Sequence, residues 1–274
     1  MFKIGEGIRF FGLVKKIFQS LRYDKAADID GADPLAEKLF VRGKDLNDLV
    51  GKITFSEAIF HVLLGKMPDE VERKLFDAVL VSFHAGFGYS TPTVLMPRLA
   101  ATTGTSVAGS LAAGYSAGGS YHVGAIEEAM DMYEKILSSL KGDLEEHAIN
   151  YLKELMASGK KIHGFGHPLF KKDPRPPCLR ALLHQYNFTS DYIRIYDAAE
   201  QFLSKEKDIY PNIDGVNSSI LLSLGFKKNH GTGLFLLSRT SAMLAHVVEE
   251  KEKEPFYSER RLYPILRMFE KERG

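Results

Sequence analysis

Thr54-Phe-Ser-Glu-Ala-Ile-Phe-His-Val-Leu-Leu-Gly65 is the stretch from which the class of fold is read. Thr54 and Glu57 stand three apart, the spacing at which each side chain reaches the other's backbone N–H and closes the first turn of a helix. The run Ala58 to Leu64 is apolar enough to bury, and Gly65 can take the left-handed conformation that ends such a helix. Pro68 follows where a first helical turn tolerates a missing N–H. Asp69, Glu70 and Glu72 then gather at the positive end of a second helix, on which Val71, Leu75, Val79 and Ser82 share one face.

The same signals recur outward from this stretch. Asp143-Leu-Glu-Glu opens a helix that runs to Met156 and stops at Gly159, and residues 191–206 and 232–250 repeat with a helical period. No segment sustains an apolar/polar alternation, and no Asn-Gly or Asp-Gly joins two strand-like runs. The expected class is all-α. Residues 101–124 are rich in Ala, Gly and Thr. Small side chains let backbones approach closely, so this segment reads as tight helix packing, within the fold or across a subunit interface, with a flexible loop as the alternative. The charge runs at Lys227-Lys228, Glu249 to Glu254 and Lys271 to Arg273 read as solvated faces or tail.

The bulk numbers exclude several functions. The chain has 274 residues, 45% of them hydrophobic, enough for one core or for two lobes within one chain. With 36 basic and 35 acidic residues the net charge is +1. No broad basic face for nucleic acid follows from such a balance, and anion specificity has to come from a few placed charges. A lone cysteine, Cys178, gives no disulfide framework and fits a reducing, cytoplasmic setting. No apolar run reaches the ~18 residues of a membrane span. Near the N-terminus, Phe2, Ile4, Ile8 and Phe10 interleave with Lys3, Arg9, Lys15 and Arg22. That pattern lacks the unbroken apolar core and cleavage site of a secretory signal, and reads as a helix packed on its own fold or on a partner subunit.

Of nine histidines, His84, His122 and His167 stand in glycine-rich turns, where the backbone can bend sharply and a ligand can approach. The run Gly164-Phe-Gly166-His167-Pro-Leu-Phe-Lys171-Lys172-Asp-Pro-Arg175 places an imidazole, two ammonium groups and a guanidinium on one proline-broken loop, a composition suited to phosphate or carboxylate. Asp214, in Tyr210-Pro-Asn-Ile-Asp-Gly215, is open to two readings, a helix N-cap or a chemical group. Arg239 lies in an apolar helix and needs an anionic partner, either internal or a bound substrate.

These segments together resemble the citrate synthase superfamily, which includes citryl-CoA lyase and the C-terminal module of ATP-citrate lyase. Val41-Arg-Gly-Lys-Asp-Leu46 with Leu63-Leu-Gly-Lys-Met-Pro68 resembles the family's opening. Gly164 to Arg175 resembles its Gly-[Tyr/Phe]-Gly-His…Asp-Pro-Arg signature, Tyr210 to Asp214 its Tyr-Pro-Asn-Val-Asp, and Leu236-Leu-Ser-Arg239 with Ala245-His246 its Ala-Arg…Ala-His helix. The resemblance implies an all-α fold with a large lobe, 1–123 and 226–274, and a small lobe, 124–225. It implies a CoA thioester and a di- or tricarboxylate as substrates, no tightly bound cofactor or metal, and a homodimer or a multiple of one.

Residue roles follow from the same resemblance. Asp214 matches the acid or base at the acetyl carbon. His122 matches the donor to the thioester oxygen, although its Gly-Gly-Ser-Tyr-His setting departs from the family's Gly-Pro-Leu-His-Gly. His167 matches the group at the oxaloacetate carbonyl or citryl hydroxyl, where it is expected to take the hydroxyl proton in cleavage. His84, Arg175 and Arg239 match carboxylate binders, joined by Arg260 or Arg261 from a neighbouring subunit. Lys171, Lys172, Gly164 and Gly166 match the loop along CoA. Gly215 after Asp214, where synthases carry an aromatic, is expected to leave room beside that carboxyl. Together with the compact chain it favours citryl-CoA lyase over a compact citrate or 2-methylcitrate synthase. Two other readings compete: a metal-dependent hydrolase using His84, His122, His167 and Asp214, which lack the His-x-His or His-x-x-x-His spacing of zinc sites, and a non-catalytic paralogue, which would be expected to lose His167 or Asp214.

Overall fold

The computed structural model describes residues 12–14, 16, 28–33, 36–84, 86 and 88–253. Helices carry the fold, as the sequence leads one to expect. Two compact units divide the chain, residues 1–73 and 74–274. Most of the apolar N-terminal segment lies outside the described residues. No described helix is long and apolar enough to cross a membrane.

The first unit holds a small antiparallel sheet, β1 (Asp30–Asp33), β2 (Lys38–Val41) and β3 (Lys44–Asp45), hydrogen-bonded in that order. Strands this short show no alternation in sequence. The β2–β3 turn is Arg42-Gly43 instead of Asn-Gly, yet both residues have positive φ, 48° and 77°, as a two-residue hairpin requires. Arg42 donates from Nε to the Val62 carbonyl at 2.8 Å, which offsets the strain of a non-glycine residue there. Helix α1 (Phe55–Leu64) forms as its caps dictate. Thr54 Oγ1 accepts from the Glu57 amide at 3.3 Å, the Glu57 carboxylate accepts from the Thr54 amide at 2.6 Å, and Gly65 closes the helix at φ 73°.

Helix α2 (Glu70–Ser82) begins in the first unit and carries most of its length in the second. There follow α3 (Pro92–Thr102), α4 (Val107–Ser116), α5 (Ala125–Ser138), α6 (Leu144–Ala157), α7 (Pro176–Gln185), α8 (Asp191–Lys207), α9 (Ile213–Ser223) and α10 (Gly231–Lys253). Helices α3, α4 and α10 pack as one group, while α5 and α8 pack on α9 and α6 lies on α8. Ile126, Met130, Tyr133 and Ile136 form the buried stripe of α5. Phe76 stacks on Phe226 with centroids 5.0 Å apart, and Phe83 meets Phe235 at 4.4 Å. Burying each such side chain contributes roughly 1.5–3 kcal/mol.

Helix α9 is buried along most of its length, from Gly215 to Leu222. Buried polar groups need partners. Asn217 donates from Nδ2 to Ser82 Oγ at 2.8 Å, and Ser218 Oγ donates to the Ile126 carbonyl at 3.0 Å. This is the helix whose first turn carries Asp214. The charge run at 249–254 is not wholly solvated, because Glu250 is buried and paired with the buried Arg98 of α3.

The small-residue segment does pack tightly, within the chain. A Cβ placed on Gly114 of α4 would lie 2.6 Å from Met243 Sδ and 3.2 Å from Pro97 Cγ. Overpacking such a contact typically costs about 1–3 kcal/mol. Gly114→Val should therefore lower the unfolding free energy by that amount in urea titrations, and an unchanged midpoint would mean that the three helices have slack.

Candidate active site

A cavity of about 710 Å³ lies within the second unit. His122, His167, Arg175, Asp214 and Arg239 all line it, as do Gly164 and Gly166. Side chains distant in sequence thus converge on one space. His84, Lys171 and Lys172 are not on its wall, and Arg260 and Arg261 lie outside the described residues.

The two halves of the site are stitched together by backbone. Gly164 and Gly166 adopt φ of 85° and 80°, conformations that only glycine takes at little cost. The loop they shape runs against the start of α9. Gly166 N–H donates to the Tyr210 carbonyl at 2.7 Å, Asn212 N–H to the Gly164 carbonyl at 3.0 Å, and Asn212 Nδ2 to the Gly166 carbonyl at 2.7 Å. Gly215 closes the contact. A Cβ there would lie 2.3 Å from the Gly164 carbonyl oxygen. The space beside Gly215 is therefore filled by the Gly164 peptide, contrary to the expectation of open room next to Asp214.

Asp214 is not the N-cap. That role belongs to Asn212, whose Oδ1 accepts from the amides of Asp214 at 3.0 Å and Gly215 at 3.3 Å. The Asp214 carboxyl is left for other work. Its Oδ1 is buried with no hydrogen-bond partner among the described residues. Burial lifts its pKa to about 7; Arg175 pulls against this rise, Asp173 adds to it, and Arg239 and Lys161 oppose it. A carboxyl in this state can hold or release a proton near neutrality.

Arg239 is 2% exposed. Its Nε donates to the Phe83 carbonyl at 2.6 Å, its Nη1 to Thr93 Oγ1 at 3.3 Å, and it lies over the Phe235 ring at 4.8 Å. Among the described residues no carboxylate pairs with it. Burial, then the neighbouring Arg175, bring its pKa down to about 10, with Asp214 opposing, so the guanidinium stays charged at neutral pH. A buried charge of this kind calls for an anion, and the cavity is where one can enter.

Thr93, which stands in none of the sequence motifs, touches both Arg239 and His122. Its hydroxyl accepts from Arg239, a pure donor, and lies 3.1 Å from His122 Nε2. When Thr93 donates in that contact, the neutral His122 ring carries its proton on Nδ1. Burial, then Arg239, depress the His122 pKa and keep the ring neutral. The turn carrying His122 is held by paired amide–carbonyl bonds between Gly119 and His122, and Val123 sits beside it at φ 74°. For a β-branched residue that is strain on the order of 1–3 kcal/mol.

His167 Nδ1 accepts from the amides of Leu169 and Phe170 at 3.1 and 3.2 Å, so in the neutral ring the proton sits on Nε2. Burial depresses its pKa, Asp173 works the other way, and Arg175 adds to the fall. Arg175 is gripped by Asp173 through Nε–Oδ1 at 2.9 Å and Nη2–Oδ2 at 2.7 Å. The same carboxylate accepts from the Ile213 amide, the first of α9, at 3.0 Å. Burial alone would raise the Asp173 pKa, but the hydrogen bonds from Arg175 outweigh it and hold the group below the usual range. Asp173 and Asn212 were legible as motif letters, but their positioning roles depend on the fold.

The remaining candidates stand elsewhere. His84 is exposed, with Nδ1 3.1 Å from the Leu80 carbonyl and 3.1 Å from Ser238 Oγ. Lys171 pairs with Asp208, and Lys172 lies over the Tyr210 ring at 4.3 Å. Among the described residues no group of three or more His, Cys, Asp or Glu is arranged to hold a metal ion.

The family described as citrate synthase, C-terminal domain, matches residues 71–264. The citrate synthase of Heyndrickxia coagulans is 28% identical over 218 residues, covering 77% of this chain and 56% of that protein. The citrate/2-methylcitrate synthase of Bacillus subtilis (strain 168) is similar to the same extent, with the same coverage. The chain thus spans little more than half the length of these relatives. Among solved structures, the citryl-CoA lyase from Hydrogenobacter thermophilus is similar with a TM-score of 0.78 and 30% identity, covering 86% of this chain and 91% of that one.

The Gly164–Gly215 contact makes a sharp prediction. Gly215→Ala has to displace the Gly164 peptide, and with it the His167 loop. Whatever reaction the site performs should slow by about 10-fold or more, since small misplacements of reacting groups are costly, while the far-ultraviolet circular dichroism stays helical. Full activity in this variant would show that the loop is not held by the contact.

Proposed function

The chain belongs to the citrate synthase family, and from that premise we propose that it cleaves citryl-CoA to acetyl-CoA and oxaloacetate. The observation that carries this reading is Asp214, a carboxyl with a buried, unpartnered oxygen and a pKa near 7, sharing one cavity with His122, His167, Arg175 and Arg239. Carbon–carbon cleavage beside a thioester needs a proton for the departing carbon, a donor for the enolate oxygen and a base for the hydroxyl that becomes the ketone. The cavity offers one group for each need.

In this reading Arg239 and Arg175 hold substrate carboxylates through the permanent positive charge of their guanidinium groups. His122 donates from Nδ1–H to the thioester oxygen as the enolate forms. His167 takes the proton of the hydroxyl that becomes the ketone at Nε2, which requires the ring to give up the loop amides at Nδ1 and carry its own proton there. As the carbon–carbon bond breaks, its electron pair moves into the enolate, the hydroxyl proton passes to His167, and Asp214 delivers its proton to the acetyl carbon.

Further parts of the reading are proposals of the same kind. Lys171, Lys172, Gly164 and Gly166 would lie along CoA. The small lobe 124–225 would close on 1–123 and 226–274, excluding water from the enolate and bringing His84 toward a carboxylate. The working form would be a cytoplasmic homodimer or a multiple of one, with Arg260 or Arg261 completing the neighbouring site. The second reading is the reverse reaction, condensation by an ionised Asp214, and it is favoured by the likeness to citrate and citrate/2-methylcitrate synthases.

Product analysis separates the two. Citryl-CoA should give acetyl-CoA and oxaloacetate, with little citrate or free CoA; citrate and free CoA as the main products would make the enzyme a synthase. Asp214→Asn and His167→Ala should each slow turnover by about 100-fold or more, within the range for general acid–base groups, with the fold intact. Turnover near that of the unaltered protein would remove the residue concerned from the mechanism.

A further inference from the structure

Two side chains on the cavity wall have no part in the chemistry above. Lys161 and His163 line it one residue apart, while Ile162 between them is buried. Lys161 is exposed and makes no hydrogen bond or ion pair with any described residue. His163 Nδ1 is buried without a partner, an arrangement that buried polar groups rarely keep unless something else completes them.

The charges around them are unevenly matched. Asp173 already neutralises Arg175 through two hydrogen bonds. Arg239 has no carboxylate partner among the described residues. A polycarboxylate or a phosphate-bearing thioester brings at least two negative charges, so the single net positive charge of Asp173, Arg175 and Arg239 leaves one of them unmet. Lys161 is the cation placed to meet it. Its charge is felt at both Asp214 and His163, which puts it within electrostatic reach of the reacting end of the site.

We propose that Lys161 and His163 form a second anion-binding subsite of this cavity, in which the Lys161 ammonium meets a substrate oxyanion and the His163 imidazole supplies a hydrogen bond beside it. The oxyanion is either a carboxylate of the polycarboxylate or a phosphate of the CoA moiety. The substrate class rests on the proposed function, but the subsite does not depend on turnover.

Calorimetric binding of oxaloacetate and of CoA, each alone, tests it on the full-length protein. Lys161→Ala should weaken one or both by about 10-fold, equivalent to about 1.4 kcal/mol, and flatten the salt dependence of that binding. Lys161→Arg should restore most of the affinity, and His163→Ala should weaken the same ligand. A loss confined to CoA assigns a phosphate, a loss confined to oxaloacetate assigns a carboxylate, and a loss of both puts the subsite where the two substrates meet. Lys205→Ala, at an exposed lysine off the cavity wall, serves as comparator and should leave both affinities unchanged. Unchanged affinities in both Lys161→Ala and His163→Ala overturn the proposal, as does a parent protein that binds neither anion. Binding of both ligands without cleavage of citryl-CoA would sink the proposed function and leave the subsite standing.

Discussion

The Asp173 carboxylate, buried between the Arg175 guanidinium and the first amide of α9, fixes where both halves of the site stand. Both of its oxygens accept from Arg175, and Oδ2 also accepts from the Ile213 amide, so one carboxylate orients a cation and pins the helix turn that carries Asp214. Removing one partner of such a buried pair commonly costs 3–5 kcal/mol, because the other charge is left without compensation. The geometry of the Gly164–His167 loop then follows, since Asn212, one residue before that amide, holds two of the loop's carbonyls.

Around this anchor the electrostatics are arranged to be incomplete. Arg239 is buried beside a carbonyl, a hydroxyl and an aromatic ring, none of which carries a full negative charge. Asp214, the nearby carboxyl, avoids charge through burial. Its pKa lies above the unfolded value of 3.8. Below that value both states are protonated. Between it and about 7 the folded state keeps a proton that the unfolded state has lost, so stability falls as pH rises, and above 7 the whole penalty is present. The fold gives up stability to keep a proton donor beside an unmet cation, and an anionic substrate supplies what is missing.

Much of this was legible in the sequence, for reasons that can be named. The Thr54–Glu57 box and the Asp143 cap fix helix starts through contacts three residues long, and the helical periods of 191–206 and 232–250 are strong over such lengths. The glycines around His167 announce an unusual turn. The hairpin at Arg42-Gly43 was not legible, because its strands are shorter than any pattern. The roles of Thr93, Asp173 and Asn212 depend on partners tens of residues away, which no local spacing encodes. Asp214 could be read as a cap until the structure gave that role to Asn212, two residues earlier. The space beside Gly215 looked open from sequence alone, and only the fold reveals the Gly164 peptide that fills it.

The claim at the centre of this account is that Asp214 is a buried carboxyl able to hold a proton at neutral pH. Carbon-13 NMR of protein labelled at the aspartate carboxyl carbons, with Asp214→Asn used to assign the resonance, reads that proton directly. The account requires the Asp214 signal to titrate near pH 7 in the ligand-free protein, well above the other aspartates. A midpoint near 4 would contradict it, leaving an ordinary carboxylate where the chemistry needs an acid.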